Sequence, residues 1–474
     1  MAKLILGPLI GGLSHNSVNL WGRADAASKL YAWIATLPDL SDSYLAGQAD
    51  LNDASGFAGI VPIKKLKPET AYYFALSLED KQPAKETFRS FKTSPKPGQI
   101  RSFRFAFGSC FRLDDEQPGE AFRHILDHQK DLSFLMMLGD QIYADEWKYN
   151  GLGRVAVTRD EYRQVYLNTW SDPDLRELLA NVPVYMTLDD HEVDNDWHWE
   201  NLARDAAIVP WYTRLIRRFG GRPLAERRIP RQRIRDALQA YWEHQGIHAP
   251  KMLLPMERDK DSGDFNLMEE DAGSLAYTFY YGAAAFFVMD TRTMRIHNRD
   301  TQIVLGEAQW KVLKEWLMDV KDTYPVKFLV SSSAFLFEMF GDIANDRWSG
   351  FPKERDQLLY FLAEQGIEGV YILAGDLHEA HAISAQLSGP DGKDIPIWEF
   401  CATPFKQEIN WLAKLLIIEP SSAALKNARV HFSIGKINYG VVEVELDKSG
   451  NQKVTYIVNY KDKEWLTRSI SSKG

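Results

Sequence analysis

The sequence contains little cysteine, and this excludes two kinds of stabilised protein. Of its 474 residues only Cys110 and Cys401 are cysteines, too few for a disulfide framework or a zinc site of four thiolates. A chain of this length buries most of its apolar surface on folding and needs neither device for stability. Each thiol therefore needs its own explanation.

The chain also lacks an excess of positive charge, long apolar runs and any targeting signal. Its 56 Lys and Arg residues against 65 Asp and Glu residues give a net charge of −9, so we expect no nucleic-acid binding, which needs a positive field. The most apolar window, residues 275–289, is shorter than the roughly 18 residues of a membrane helix, so we expect no membrane span. The start of the chain shows no export signal and no twin arginines, which favours a cytoplasmic protein.

Residues 1–95 are predicted to form a small N-terminal β-sandwich. Polar and apolar residues alternate in several short segments separated by turns, at 17–24, 29–37, 56–63, 70–78 and 87–93. In LKPETAY, Tyr72 follows a Pro-x-Thr turn, where a tyrosine hydroxyl can return to nearby backbone. The stretch resembles a fibronectin type III-like module. Prolines and glycine at 94–99 then predict a linker.

Residues 101–474 are predicted to form an α/β catalytic domain. Continuous apolar runs between helical segments are typical of a sheet that is buried on both faces. The span at about 196–271 is rich in aromatic and charged residues, and we interpret it as an insertion in this domain.

Four predicted strands end in polar clusters that could bind a metal. They are Ser109-Cys110; GDQIYADE with Asp140 and Tyr143; DDHEVDND with Asp189, Asp190, His191, Glu192, Asp194 and Asn195; and GDLHEAH with Asp376, His378 and His381. Ligands of α/β sheets bind beyond the carboxyl ends of the strands. Any one cluster is typical of an ordinary turn, but four together indicate a shared metal-binding crevice.

These blocks resemble the alkaline phosphatase D branch of the calcineurin-like metallophosphoesterase superfamily. The matching blocks are SC at 109–110, GDQIY at 139–143, DDHEVDN at 189–195, DTR at 290–292 and GDLH at 375–378. The resemblance covers nearly the whole chain. It implies an α/β fold with a four-layer αββα metallophosphoesterase catalytic domain, preceded by the small β-domain.

The resemblance also implies a dinuclear metal site. Asp140 would bridge the two metals, and the remaining ligands of an Fe³⁺ ion would be Cys110, Tyr143 and His378. Asp376 and Asn195 would bind the second metal, for which Ca²⁺ is expected and Zn²⁺, Mn²⁺ or Mg²⁺ are alternatives. Asp190 aligns with the metal-binding Asn of the superfamily, so either Asp190 or Asn195 could be that ligand.

The catalytic residues implied are His191, Arg292 and Asp190. His191 would be a proton donor or phosphate contact, and Arg292 would pair with phosphate oxygens through its planar fork. The predicted function is hydrolysis of a small-molecule phosphate ester, a monoester or a diester, by a metal-activated hydroxide. The physiological substrate, native metals and oligomeric state are left open.

Two other functions were weighed. A non-catalytic phosphate-binding or interaction protein with a relict metal site is the main alternative, although a relict site usually loses some of its ligands. A glycoside hydrolase could use the Asp-Asp-His-Glu carboxylates as acid and base, but this leaves Cys110, Tyr143 and Asp376 unexplained.

Overall fold

The computed structural model describes most of the chain. The described ranges are 2–113, 119–197, 230–258, 273–297, 301–339, 346–409, 417–447 and 451–472. Most of the predicted insertion at 196–271 lies outside them, so that prediction is not tested.

Residues 2–95, all of them described, form a β-sandwich. Its strands are β1 (Leu4–Gly11), β2 (Ser17–Ala24), β3 (Ser28–Ala35), β4 (Tyr44–Leu51), β5 (Ala58–Lys64), β6 (Ala71–Ser77) and β7 (Arg89–Lys92). One sheet contains β1-β2-β5 and the other has the order β4-β3-β6-β7. The Tyr72 hydroxyl accepts a hydrogen bond from the Lys67 backbone N–H at 2.9 Å, which confirms the predicted tyrosine corner.

The first sheet of the sandwich continues into the catalytic domain. Further strands of this sheet are β8 (Phe103–Gly108), β9 (Leu135–Leu138), β10 (Val184–Thr187), β23 (Asn438–Leu446), β24 (Gln452–Lys461) and β25 (Trp465–Ser471). Within the described chain the sheet has nine strands in the order β25-β24-β23-β8-β9-β10-β1-β2-β5. Because β1 pairs with β10, one sheet crosses the predicted boundary between 1–95 and 101–474. That boundary stays a prediction.

A second sheet packs face to face with the first. Its strands are β11 (Met252–Leu254), β12 (Ser274–Tyr281), β13 (Ala284–Val288), β16 (Val326–Val330), β18 (Val370–Ala374), β19 (Ala380–Ser388), β20 (Asp394–Cys401) and β22 (Leu425–Ile434). Their order is β11-β12-β13-β16-β18-β20-β19-β22. Two short pairs lie outside both sheets: β14 (Ile296–His297) with β15 (Gln302–Ile303), and β17 (Glu338–Met339) with β21 (Ile417–Ile418).

Helices form the outer layers. In the described ranges they are α1 (Glu120–His128), α2 (Arg159–Trp170), α3 (Pro173–Asn181), α4 (Arg231–His244), α5 (Gly306–Val320) and α6 (Pro352–Glu364), with 3-10 turns at Asp53–Ser55, Lys85–Thr87, Gly246–His248, Trp348–Gly350 and Pro390–Gly392. No helix in these ranges combines the length and apolar character that crossing a membrane requires.

Alternating side chains hold the layers together. Between the sheets, the Phe105 ring of β8 lies 5.7 Å from that of Phe286 and 5.4 Å from that of Phe328. On the opposite face of the second sheet, Phe287 packs against Trp316 of α5 at 5.3 Å. Each residue of β13, β16 and β18 is buried, as predicted for a sheet covered on both faces. The layer order is the predicted αββα.

Candidate metal centre

Parallel strands bring the predicted clusters to the same edge of the two sheets. Strands β8, β9 and β10 run parallel to one another in the first sheet, and β13, β16, β18 and β20 do so in the second. The segments that follow β8, β9, β10 and β18 meet where the two sheets face each other.

Two glycines allow these segments to approach closely. A Cβ atom on Gly139, which has φ +94°, would lie 2.3 Å from the Cβ atom of Asp189. A Cβ atom on Gly375 would lie 2.6 Å from the Ser109 Oγ atom. The glycine of each Gly-Asp block is therefore needed for the close approach of Asp189 to Gly139 and of Ser109 to Gly375.

Cys110, Asp140, Tyr143 and His378 form one cluster. The Cys110 Sγ atom lies 3.4 Å from Asp140 Oδ2, and the Tyr143 hydroxyl lies 3.3 Å from the same oxygen. The Tyr143 hydroxyl is also 3.2 Å from His378 Nε2. A thiol, a carboxylate, a phenol and an imidazole thus converge within hydrogen-bonding distances.

Asp140 belongs to three sets of candidate ligand atoms, each set lying within 4.8 Å. The sets are Cys110, Asp140 and His378; Asp140, Asp190 and His191; and Asp140, Asp189 and Asp376. A fourth set joins Asp190, Asp196 and Asp346. The position of Asp140 between several donor groups is the one that a bridging carboxylate would occupy.

The backbone is strained at the same residues. Eleven non-glycine residues of the described chain have positive φ, and five of these belong to the four sets of candidate ligands: Cys110, Asp140, Asp196, Asp376 and His378. Such conformations persist where the surroundings determine them, and they concentrate at functional sites. Ser109 helps to fix the strained Asp376, because its Oγ accepts the Asp376 backbone N–H at 3.1 Å.

The electrostatics of the cluster favour a bound cation. Burial, together with the charges of Cys110 and Asp190, raises the pKa of Asp140 well above its usual value. Burial and the charge of Asp376 raise the pKa of Cys110 to about 12. A bound metal would reverse both shifts, since metal ligands are deprotonated.

Two buried carboxylate oxygens also favour a cation. Asp189 Oδ2 and Asp190 Oδ1 have no hydrogen-bond partner in the described chain, and both residues are buried. Arg292 Nη2 approaches Asp190 Oδ1 only to 3.7 Å. An ionised carboxylate oxygen without a partner is costly in a protein interior. The donor set therefore fits metal binding, with thiolate, phenolate and imidazole on one side of Asp140 and carboxylates on the other.

His191 is held by a carboxylate that the sequence analysis did not identify. Its Nδ1 atom lies 2.7 Å from Asp145 Oδ1, and its ring lies 4.2 Å from the Tyr143 ring. Burial alone would lower the pKa of His191, but the charges of Asp145 and Asp190 outweigh it and raise that pKa well above the usual value.

Glu192 binds backbone groups of two segments of the centre. Its carboxylate accepts the backbone N–H groups of Asp140 at 3.1 Å, Gln141 at 2.8 Å and Asp189 at 3.0 Å. It therefore fastens the segment after β9 to the segment after β10.

Arg292 is bonded to carboxylates. Its Nε donates to Asp189 Oδ1 at 2.5 Å, and its Nη atoms donate to Asp346, Nη2 at 3.1 Å. Its side chain is fully buried. Phosphate binding by Arg292 stays a prediction.

Asp190 and Asn195 lie in the same turn. Asp190 Oδ2 accepts the Asp196 N–H at 2.7 Å, and the Asn195 amide donates to Asp196 Oδ2 at 2.7 Å. The choice between Asp190 and Asn195 as ligand stays open.

The structure also adds a buried charged triad beside the centre. His381 lies between Glu379 and Glu399, with both nitrogen–oxygen distances at 2.7 Å. Glu399 also accepts the backbone N–H groups of Phe335 at 2.6 Å and Leu336 at 2.8 Å. The triad therefore ties the segment after β16 to the strand that follows His378.

Fold and centre together define a class of protein. A double sheet between helical layers, with carboxylate, histidine and thiol donors at its strand ends, is the arrangement of a metallophosphoesterase. A family model described as PhoD-like phosphatase matches residues 105–454, and the chain belongs to that family.

Individual relatives agree with this assignment. The chain is 26% identical over 351 residues to alkaline phosphatase D of Bacillus subtilis (strain 168), covering 67% of this chain and 52% of that protein; it thus spans about half the length of that relative. Its fold is similar to that in the structure of PhoD, with a TM-score of 0.68, 20% identity and coverage of 99% and 92% of the two chains. Purple acid phosphatase PPD1 from yellow lupin (Lupinus luteus) seeds gives a TM-score of 0.55 at 11% identity, with 98% and 73% coverage.

The triad leads to a prediction about pH and stability. Burial opposes protonation of His381, but hydrogen bonds to Glu379 and Glu399 raise its pKa from 6.5 to about 9. A raised folded-state pKa gives stability that is fully present below pH 6.5 and is lost as the pH rises through about 9. We expect His381→Gln to lower the free energy of unfolding more at pH 6.5 than at about pH 10.

Urea unfolding of the metal-free proteins measures this difference. His431→Gln, at a partly exposed histidine stacked on Trp398, is the control and should not show the decline. Equal destabilisation by His381→Gln at both pH values would contradict the prediction.

Proposed function

We propose that this chain hydrolyses phosphate esters at a dinuclear metal centre. The shared position of Asp140 in three sets of donor atoms is the observation that carries the proposal, because two adjacent metals need a common ligand. Membership of the PhoD-like phosphatase family supports the reaction class. A small-molecule phosphate ester is the proposed substrate.

The residues on the two sides of Asp140 suit different metals. Cys110, Tyr143 and His378 would hold Fe³⁺, because anionic sulfur and oxygen donors stabilise a highly charged ion. Asp376, with Asp190 or Asn195, would hold the second metal, and oxygen donors favour Ca²⁺, with Zn²⁺, Mn²⁺ or Mg²⁺ as alternatives. When bound, the metals would supply positive charge for the phosphoryl oxygens and make a water molecule more acidic.

The chain itself supplies the proton for the leaving group. His191 is held through Nδ1 by Asp145 at 2.7 Å, so its Nε2–H is left to donate. The Asp145 carboxylate favours the imidazolium form, and a proton at this position can pass to the oxygen of the departing alcohol. We propose His191 as the general acid and Asp145 as its positioning residue.

A relict metal site is the alternative. The bonded cluster of Cys110, Asp140, Tyr143 and His378 argues against it, because a site that had lost its role would not need to retain four converging donors. The expectations of no nucleic-acid binding and of a cytoplasmic location stay predictions.

Turnover with and without chelator tests the proposed function. We expect metal-replete protein to hydrolyse p-nitrophenyl phosphate, bis(p-nitrophenyl) phosphate, or both, and to lose this activity on chelation. A metal-replete protein inactive on both esters between about pH 6 and about pH 10 would favour the relict site. Activity that survives chelation would contradict the metal mechanism.

The role of His191 is tested by varying the leaving group. A nitrophenolate departs with little protonation, whereas an alkoxide needs the proton. We therefore expect His191→Asn to reduce hydrolysis of an alkyl phosphate by about 10²–10⁴-fold and that of the nitrophenyl ester much less. Asp145→Asn should give the same pattern more weakly. An equal loss on both esters would refute the proton-donor role.

A further inference from the structure

Two arginines near the centre differ in their burial and in the hydrogen bonds that they already make. Arg292 is fully buried, and its Nε, Nη1 and Nη2 atoms donate to Asp189 and Asp346. The Arg112 side chain is 13% exposed. Each nitrogen of the arginine expected to bind phosphate therefore already donates to a carboxylate, while Arg112 is partly exposed.

Arg112 follows the proposed iron ligand Cys110 by two residues, and its backbone is fixed on both sides. The Arg112 N–H donates to the Lys406 carbonyl at 2.9 Å, and the Phe111 N–H donates to the Asp140 carbonyl at 2.9 Å. The segment after β20 thus forms a fifth strand end at the centre. The start of the Arg112 side chain is anchored beside Asp140.

The guanidinium group is held on one edge only. Its carbon lies 3.8 Å from the centre of the Tyr149 ring, and its Nη1 atom lies 3.3 Å from Glu146 Oε2 and 3.5 Å from Glu408 Oε1. No hydrogen bond of its Nε and Nη2 atoms occurs within the described residues. The second edge is available to a ligand.

Hydrogen bonds place this group beside the turn that carries Tyr143. The Glu146 backbone N–H donates to the Tyr143 carbonyl at 3.2 Å, and the Tyr149 N–H donates to the Glu146 carbonyl at 2.9 Å. Because Glu146 and Tyr149 both contact the guanidinium group, Arg112 lies on the side of the centre that carries Tyr143.

We propose that Arg112 is a substrate-binding residue of this centre: its unoccupied guanidinium edge binds phosphate oxygens, and the Glu146 carboxylate on the other edge offsets part of the positive charge that attracts them. This inference rests on the proposed function. A planar fork suits two phosphate oxygens, and the charge-assisted bonds are stronger than neutral ones. Arg292 is then a positioning residue that holds Asp189 and Asp346.

Binding of inorganic phosphate to metal-loaded protein, measured by calorimetry, tests the proposal. We expect Arg112→Gln to weaken phosphate binding by about ten- to hundredfold, the range expected for a charge-assisted hydrogen bond. Its metal content should equal that of the wild type. Arg112→Lys should recover part of the affinity, because it restores the charge without the fork. In turnover, KM should rise more than kcat falls.

A second variant predicts a change of opposite sign. Glu146→Gln removes the negative charge beside the Arg112 guanidinium, so we expect phosphate to bind about two- to fivefold more tightly. Arg101→Gln is the control, because Arg101 also pairs with a glutamate, Glu69 at 2.7 Å, but lies before β8, at the end of that strand remote from the centre.

The outcomes separate this proposal from the function it rests on. Unchanged phosphate affinity in metal-replete Arg112→Gln, or a wild type that binds no phosphate, would overturn the role of Arg112. The role would also be overturned if Arg112→Gln lost metal while Glu146→Gln bound phosphate with wild-type affinity. If Arg112→Gln binds phosphate more weakly but the wild type hydrolyses no ester, the phosphate-binding role of Arg112 stands and the proposed enzymatic function is rejected.

Discussion

Repulsion between carboxylates buried at one edge of the two sheets is the constraint on which the rest of this structure depends. Asp140, Asp189 and Asp376 present oxygens within 4.8 Å of one another; Asp140 and Asp189 are buried, and Asp376 is partly buried. Burial and mutual charge raise the pKa of Asp140 and Asp376 well above the usual value. Arg292 compensates only part of this charge. Bound cations would offset the repulsion between these carboxylates, so the arrangement fits a metal centre.

This arrangement includes local backbone strain, and many hydrogen bonds hold it in place. Asp376 and His378 both have positive φ, and Ser109 and the Glu379–His381–Glu399 triad hold the turn that carries them. On the other side, Glu192 binds three backbone N–H groups from two segments. Such support keeps donor atoms in place before a metal arrives, and precise placement is what a catalytic centre needs.

Much of the fold and many of the site residues could be predicted from the sequence, because the signals are local. Each of the segments carrying Cys110, Asp140, Asp190 and Asp376 follows an apolar strand directly, so strand pattern and motif support each other. Tyr72 was recognisable for the same reason, since its turn lies next to it in the chain.

The residues that were missed depend on tertiary contacts. Asp145, Asp346 and Arg112 lie in loops, which have no hydrophobic periodicity to mark them, and their partners His191, Arg292 and Glu146 are distant in the sequence. Arg292 was recognised by its motif, but no pattern shows that Asp189 and Asp346 bond to it. Helices α2 and α3 were not predicted either, although a capping box at Thr158 and Glu161 marks the start of α2.

Metal content of the purified protein tests the central claim most directly, with the two buried cysteines as a matched pair. We predict about two metal equivalents per chain, one of them iron, in the wild type and in Cys401→Ser. Cys110→Ser should lose the iron together with its ligand-to-metal charge-transfer absorption, because Cys110, and not Cys401, lies beside Asp140. Wild-type iron below about half an equivalent, or full iron in Cys110→Ser, would contradict the account.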